Sequence, residues 1–273
     1  MTSGPRIAVV VSTYNWPAAL ERVLAALADQ TYGAAEVIVA DDGSGPDTAE
    51  LVGRWTERVP FPLKHVWQED QGFRAAAIRN RAVATSESEY ILFLDGDCVV
   101  RPDFLERHAT LADPGRFVAG NRVLLSPELS EQILEQELDV STWSNRRWLS
   151  ERLSGGLTRW LPLLRLRLGA WRDRAPRAWE GAKTCNLGIW RSDFLAVNGL
   201  DERYTGWGYE DSDLVIRLIR NGVRRRDGRL ATTVLHLWHQ EHERVGTEQN
   251  LARLAAIQDN PAVRAELGVD QYL

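Results

Sequence analysis

The sequence predicts an α/β fold in which a Rossmann-like half, built on a mostly parallel sheet, is joined to a helical insertion rich in arginine and tryptophan. Over the first ~120 residues, short β-rich runs alternate with helical segments, the rhythm of parallel strands joined by crossover helices. Three of those runs end in polar loops: "STYN" (Ser12 to Asn15), "DDGS" (Asp41 to Ser44) and "DGD" (Asp95 to Asp97). In an open parallel sheet ligands bind beyond the carboxyl ends of the strands, so these loops are expected to converge on one cleft.

Each element follows from local pattern. "IAVVV" (Ile7 to Val11) reads as a buried strand, and Asn15 with Pro17 starts the helix "AALERVLAALA". "EVIVA" (Glu36 to Ala40) is a second strand, after which Asp47 is expected to cap a helix running through Arg58. "LKHVW" is a third strand, "RAAAIRNRAVA" a short helix, and Tyr90 to Leu94 the fourth strand, leading into Asp95-Gly96-Asp97. A helix from Pro102 to Leu111 and a strand from Phe117 to Val123 complete this half. Residues 127 to 180 are rich in Arg, Leu and Trp. Beyond them come a strand, a helix and a loop, then a helix beginning near Glu210, with Leu214, Val215 and Leu218 on its apolar face and Gly222 at its C-cap. "ATTVLHLWHQEH" reads as a strand running into a histidine-rich turn, and short helices close the chain. The expected division is 1–125, 126–182, 183–245 and 246–273, all within one structural domain.

With 273 residues, 44% hydrophobic and 26% charged of both signs, the chain is not of the disordered class. Cys98 and Cys185 form no CxxC pair and no zinc-like cluster, so a reducing cytoplasm is the simplest setting. The N-terminus lacks the features of a signal peptide, and no stretch approaches the ~20 apolar residues of a membrane span. A net charge of −5 argues against general nucleic-acid binding, but its distribution is uneven. Between Arg146 and Lys183, ten basic residues face three acidic ones, a local excess of +7 that leaves −12 for the rest. In that segment Leu157, Leu161, Leu164, Leu168 and Trp171 recur at 4-3-4-3 spacing with arginines between, predicting an amphipathic helix with Pro162 in its first turn. Such a helix suits either a membrane surface or a flap packed on protein.

"YILFLDGDCVV" ends a buried strand in two carboxylates. By itself this is either a turn or a cation site, because oxygen ligands suit magnesium and manganese, which take one or two carboxylates plus substrate phosphates. The wider pattern decides between them. "VVVSTYN", "VIVADDGS", "QGFRAAAIRN", "ILFLDGDC", "GLDERYTGWGYEDSDLVIRL" and "HLWHQEH", in that order from Ile7 to His242, resemble the inverting glycosyltransferases of family 2, closest to the branch with chondroitin polymerases and β-1,4-galactosyltransferases. The arginine-rich middle is outside the resemblance.

The resemblance implies the type A glycosyltransferase fold and a metal-dependent transfer, with inversion, from a nucleoside diphosphate sugar, UDP-linked by family weighting, to a hydroxyl of a glycan or glycolipid. It implies that Mn2+ or Mg2+ is held by Asp97 and by His239, with His236 and His242 as alternates, while Asp95 holds the ribose or reaches the metal through water. Thr13, Asn15 and Asp42 are expected on the nucleoside and Arg79 on the phosphates, where a guanidinium engages two oxygens at once. Asp211 is expected as the base, Glu210 as partner of the acceptor hydroxyl, and Trp207 as a platform for a sugar face. Asp41, Ser44, Arg74, Arg81 and Asp213 are expected in turn, capping or surface roles. The implied setting is bacterial cell-surface polysaccharide or lipopolysaccharide synthesis, in the cytoplasm or peripherally on the inner membrane face. Two other readings fit parts of the pattern: a haloacid-dehalogenase-like phosphatase using Asp95 as nucleophile, and a non-catalytic glycan- or membrane-binding protein.

Overall fold

The computed structural model describes residues 4–240 and 246–273. A seven-stranded sheet forms the centre. Its first four strands are β1 (Ile7–Thr13), β2 (Glu36–Asp41), β3 (Leu63–Trp67) and β4 (Tyr90–Asp95). A two-residue strand, β5 (Cys98–Val99), lies outside it, and β6 (Arg116–Ala119), β7 (Asn121–Leu124), β8 (Asn186–Trp190), β9 (Arg224–Asp227) and β10 (Thr233–His236) follow. The central order is β3-β2-β1-β4-β8-β6-β9. All its pairings are parallel except the two made by β8, which runs antiparallel to both β4 and β6. A second sheet, β5-β10-β7, carries the C-terminal histidine segment to the end of β4.

Helices α1 (Pro17–Ala28), α2 (Pro46–Thr56), α3 (Ala75–Ala84) and α4 (Phe104–Leu111) serve the first half. They are followed by α5 (Pro127–Glu135), α6 (Asn145–Leu153), α7 (Arg191–Ala196), α8 (Glu210–Arg220) and α9 (Thr247–Asp259). Strand alternation divides the core in two. Ile7, Val9 and Val11 pack with Leu20, Leu24 and Leu92 on one face, while Ala8 and Val10 pack with Ile78, Phe93, Phe194 and Leu214 on the other. Both faces of β1 are therefore buried, which is why "IAVVV" is apolar at every position.

Three expectations need correction. The strand expected over Phe117 to Val123 is two strands in different sheets, parted at Gly120. A Cβ there would lie 2.2 Å from the Asn186 amide, which donates to the carbonyls of Asn121 and Thr232 and so joins the sheets. α2 starts after Gly45 and ends at Thr56, so Asp47 lies in its first turn, where a carboxylate faces the positive helix end.

The amphipathic helix expected between Leu157 and Trp171 does not form. After α6 the chain turns at Gly155 and Gly156 and makes only short 3-10 turns, at Leu161–Leu163 and Gly169–Asp173. Leu157 and Leu163 enter the core, whereas Leu161 and Trp171 are exposed. The arginines that interrupt the leucines make tertiary contacts that a regular helix would forbid. Arg172 donates to the carbonyls of Leu166, Asp227 and Arg229, and Arg165 pairs with Asp103. Asp173, in turn, receives Arg116 and Arg226. Among the described residues no helix is long and apolar enough to cross a membrane.

Candidate active site

The loops after β1, β2 and β4 meet at one end of the sheet. Gly96 donates its N–H to the Ser12 carbonyl at 2.7 Å, and a Cβ at this position would meet that oxygen at 2.9 Å. The glycine between the two aspartates therefore lets the β4 loop lie against the β1 loop. Asn15, at φ 47°, donates its N–H to Ser44 Oγ (2.8 Å) and accepts from the Gly45 N–H at Oδ1 (2.9 Å). The Ser44 N–H donates to Asp41 Oδ1, so Asp41 and Ser44 hold the turn while Asn15 fastens the first loop to the second. Thr13 is buried, and its carbonyl accepts from the Asp42 N–H. Asp42 accepts from Gln68 Nε2 (2.5 Å) and from the Arg74 N–H (2.8 Å), and burial pushes its carboxyl above the usual range.

Arg79, on the buried face of α3, is the hub. Its Nε donates to Ser12 Oγ (2.8 Å), Nη1 to Glu210 Oε1 (3.1 Å) and Nη2 to Asp95 Oδ1 (3.1 Å). Despite that pairing, burial and nearby Asp97 keep the Asp95 carboxyl above its ordinary range. Arg74 and Arg81 point elsewhere: Arg74 donates to the Glu69 carbonyl, and Arg81 lies over the Tyr272 ring.

Glu210 and Asp211 open α8, which Tyr209 enters from the left-handed region at φ 74°. Burial, then repulsion from Asp211, pushes the Glu210 carboxyl up to about 7 against the pull of Arg79. Asp211 receives Lys183 Nζ at 3.3 Å and Ser212 Oγ at 3.4 Å on Oδ1, and no described residue bonds its Oδ2. Asp213 turns inward to pair with Arg217, both fully buried, and Arg217 also donates to the carbonyls of Val197 and Gly199. Trp207 stands partly exposed in the loop before α8, edge-on to Tyr209.

Asp97 faces two imidazoles. Oδ2 is 3.5 Å from His239 Nε2 and 3.6 Å from His236 Nε2, and no described Lys or Arg pairs with it. Those gaps are long for N–H···O hydrogen bonds, whereas two ligands on one ion at about 2.1 Å lie about 3 Å apart. Burial pushes His236 down, toward the neutral form that can donate a lone pair. The donor set of Asp97, His239 and His236 thus fits a divalent cation. His242 lies outside the described residues.

Sequence reading missed three contributors. Ser12 was counted only as part of a loop, and nothing in its local pattern marks it as a partner of Arg79. Gln68 buttresses Asp42 from the end of β3. Lys183, the last basic residue of the arginine-rich segment and the first of "KTCNLG", lies on Asp211, a pairing that no local pattern marks.

Comparison with known proteins bears on this arrangement. The profile described as Glycosyl transferase family 2 matches residues 8–159. The chain belongs to glycosyl transferase family 2. A second profile, described as the N-terminal domain of galactosyltransferase, matches residues 171–242 and covers the loop before α8, α8 itself and most of the histidine turn. Validoxylamine A glucosyltransferase of Streptomyces hygroscopicus subsp. jinggangensis is 32% identical over 233 residues, covering 80% of this chain and 52% of that protein. Chondroitin synthase of Pasteurella multocida is 24% identical over 259 residues, covering 86% of this chain and 25% of that protein. The chain spans about half the length, or less, of these curated relatives.

Among solved structures, the mannosyltransferase of Pyrobaculum calidifontis in complex with GDP-Man and Mn2+ superposes at a TM-score of 0.62, with 20% identity, over 96% of this chain and 66% of that one. S. aureus TarS 1-349 in complex with UDP gives 0.62 and 14% identity, over 98% and 68%. The family 2 chain therefore has the expected type A fold, and the phosphatase alternative fails: its motif would sit on the first strand, whereas here Asp95 ends the fourth and is bound by Arg79.

Proposed function

We propose that this family 2 chain transfers a hexose, with inversion, from a nucleoside diphosphate sugar to a hydroxyl of a glycan or glycolipid. One observation carries the reading: Asp97 faces two imidazoles at 3.5 and 3.6 Å, while Asp95, two residues away, is joined through Arg79 to Glu210, beside Asp211. Cation site, carboxylate-bridging guanidinium and candidate base are thus joined in one network.

In this reading Asp97, His239 and His236 hold Mn2+ or Mg2+, which when bound neutralises charge on the departing diphosphate. Arg79 keeps Asp95 oriented toward the ribose side of the site. Thr13, Asn15 and Asp42 form the wall for the base, UDP being the first candidate. Asp211 Oδ2 takes the proton of the acceptor hydroxyl as its oxygen attacks the anomeric carbon, and Lys183 on Oδ1 fixes the carboxylate's orientation. Glu210 positions the acceptor and Trp207 stacks on it.

We propose a place in cell-surface polysaccharide synthesis; the likeness to a chondroitin synthase supports a glycan-building role. For the insertion we propose peripheral contact with an anionic membrane, supported by exposed Leu153, Leu161, Leu166 and Trp171 among its arginines. Co-sedimentation with anionic and neutral vesicles tests that contact separately.

Calorimetry with UDP, GDP, dTDP and CMP, each with and without Mn2+, tests the main reading on wild type and Asp97→Ala. Metal-dependent binding of one nucleoside diphosphate, lost in the variant, is the expected result. No diphosphate binding under any condition overturns the reading in favour of a non-catalytic binding protein.

A further inference from the structure

Asp97 has an open side and a buried side. His239 approaches Oδ2 from the turn after β10, next to the ring of Trp16. His236 approaches the same atom from β10 itself, where its register partner is Cys98 of β5. The Cys98 thiol lies 3.4 Å from Asp97 Oδ1 and donates to it. One ligand atom each from Asp97, Cys98 and His236 lie within 4.8 Å of one another. Donors around one tetrahedral ion, at bond lengths of about 2.0 to 2.3 Å, stand roughly 3.3 to 3.8 Å apart. Closing the set therefore takes movement on the order of 1 Å, within the reach of side-chain rotation. A second free, buried thiol, Cys185, is present in the chain.

We infer that Asp97, Cys98 and His236 form a thiophilic coordination set that takes a zinc-class divalent ion and, by engaging Asp97 and His236, excludes the manganese or magnesium assigned to Asp97, His236 and His239. This rests on the reading of Asp97 as a ligand for that harder ion. Ligand softness divides the two sets. Carboxylate, imidazole and substrate phosphate suit Mn2+ or Mg2+, whereas a thiolate beside an imidazole favours zinc. Coordination exchanges the Cys98 S–H bond for a sulfur–metal bond and releases one proton to water. The protein would then carry a built-in sensitivity to thiophilic metal at its own catalytic cleft.

Co2+ is the probe. Added to the full chain it is expected to give a thiolate-to-cobalt charge-transfer band in the near ultraviolet, absent in Cys98→Ser and in Cys98→Ala. Two replacements, each checked by far-ultraviolet circular dichroism, guard against a variant that merely fails to fold. On the same samples with UDP present, electron paramagnetic resonance follows bound Mn2+. Near-stoichiometric Zn2+ should release it from wild type, and at least about tenfold more Zn2+ should be needed for Cys98→Ser, one factor of ten being about 1.4 kcal/mol. Mn2+ that binds normally, with no thiolate band or with a band that survives loss of Cys98, overturns the inference alone. Failure of wild type to bind either ion overturns the functional reading beneath it as well.

Discussion

The guanidinium of Arg79 meets the Glu210 carboxylate at 3.1 Å although 131 residues separate them in the chain. The contact ties α3, in the first half, to the first turn of α8, and the same guanidinium reaches Asp95. Burial leaves no water to replace it. Arg79→Ala strands the buried Glu210 carboxylate and frees the half-buried Asp95, and is expected to destabilise the fold by about 3 kcal/mol. Urea unfolding measures the loss, and adding Glu210→Gln should recover part of it. A loss below ~1 kcal/mol would show that water repairs the gap.

Glu210 sets a pH window. Its carboxyl is pushed from an ordinary 4.5 to about 7, so the folded state binds a proton more tightly than the unfolded state does. The protonated form's contribution to stability is complete below 4.5 and is lost as pH rises through 7. Thermal melts of wild type should therefore show stability falling over that interval more steeply than in Glu210→Gln. Parallel curves for the two proteins contradict the shift.

Asp211→Asn removes the candidate base while keeping its shape. Turnover is expected to fall by about 10² to 10⁴, with nucleoside diphosphate affinity little changed. Lys183→Met leaves only Ser212 on Oδ1 and should lower turnover less, since it removes an orienting partner and not the proton acceptor. Steady-state kinetics beside calorimetry separates the two effects.

Asp213 closes the run Glu210, Asp211, Ser212, Asp213, where the sequence suggests a role at the helix start, yet its carboxylate faces Arg217 in the core. Asp213→Asn leaves a buried guanidinium uncompensated, a cost of roughly 3 to 5 kcal/mol. Metal-dependent nucleotide binding per folded molecule should survive. Selective loss of binding in a fully stable variant would falsify the structural assignment.

What was legible in the sequence was what local pattern controls. The unbroken apolar run of β1, the one before Asp95 and the acidic start of α8 placed the parallel sheet and the polar loops at its strand ends. The antiparallel β8, the break at Gly120 and the Arg79 bridge depend on residues distant in the chain, and no local signal carries them. The arginine-rich insertion misled because leucine spacing describes a helix only if its intervening side chains point to solvent. Here Arg165 and Arg172 are drawn to Asp103 and to backbone carbonyls, and the helix gives way. At the site, residue types were readable and pairings were not: Asp97 and a histidine turn could be expected to meet, but His236 and His239 stand at nearly equal distances from one oxygen.

The lacing of Asn15 to Ser44 and Gly45 has a kinetic consequence. Two loops that would otherwise have to be ordered by an arriving nucleotide are already joined to each other by the fold. Encounter with the first wall of the cleft then needs no prior loop rearrangement, and association there is set by diffusion and orientation. If the proposed function holds, slow steps in the catalytic cycle should arise where the acceptor is proposed to enter, near Trp207.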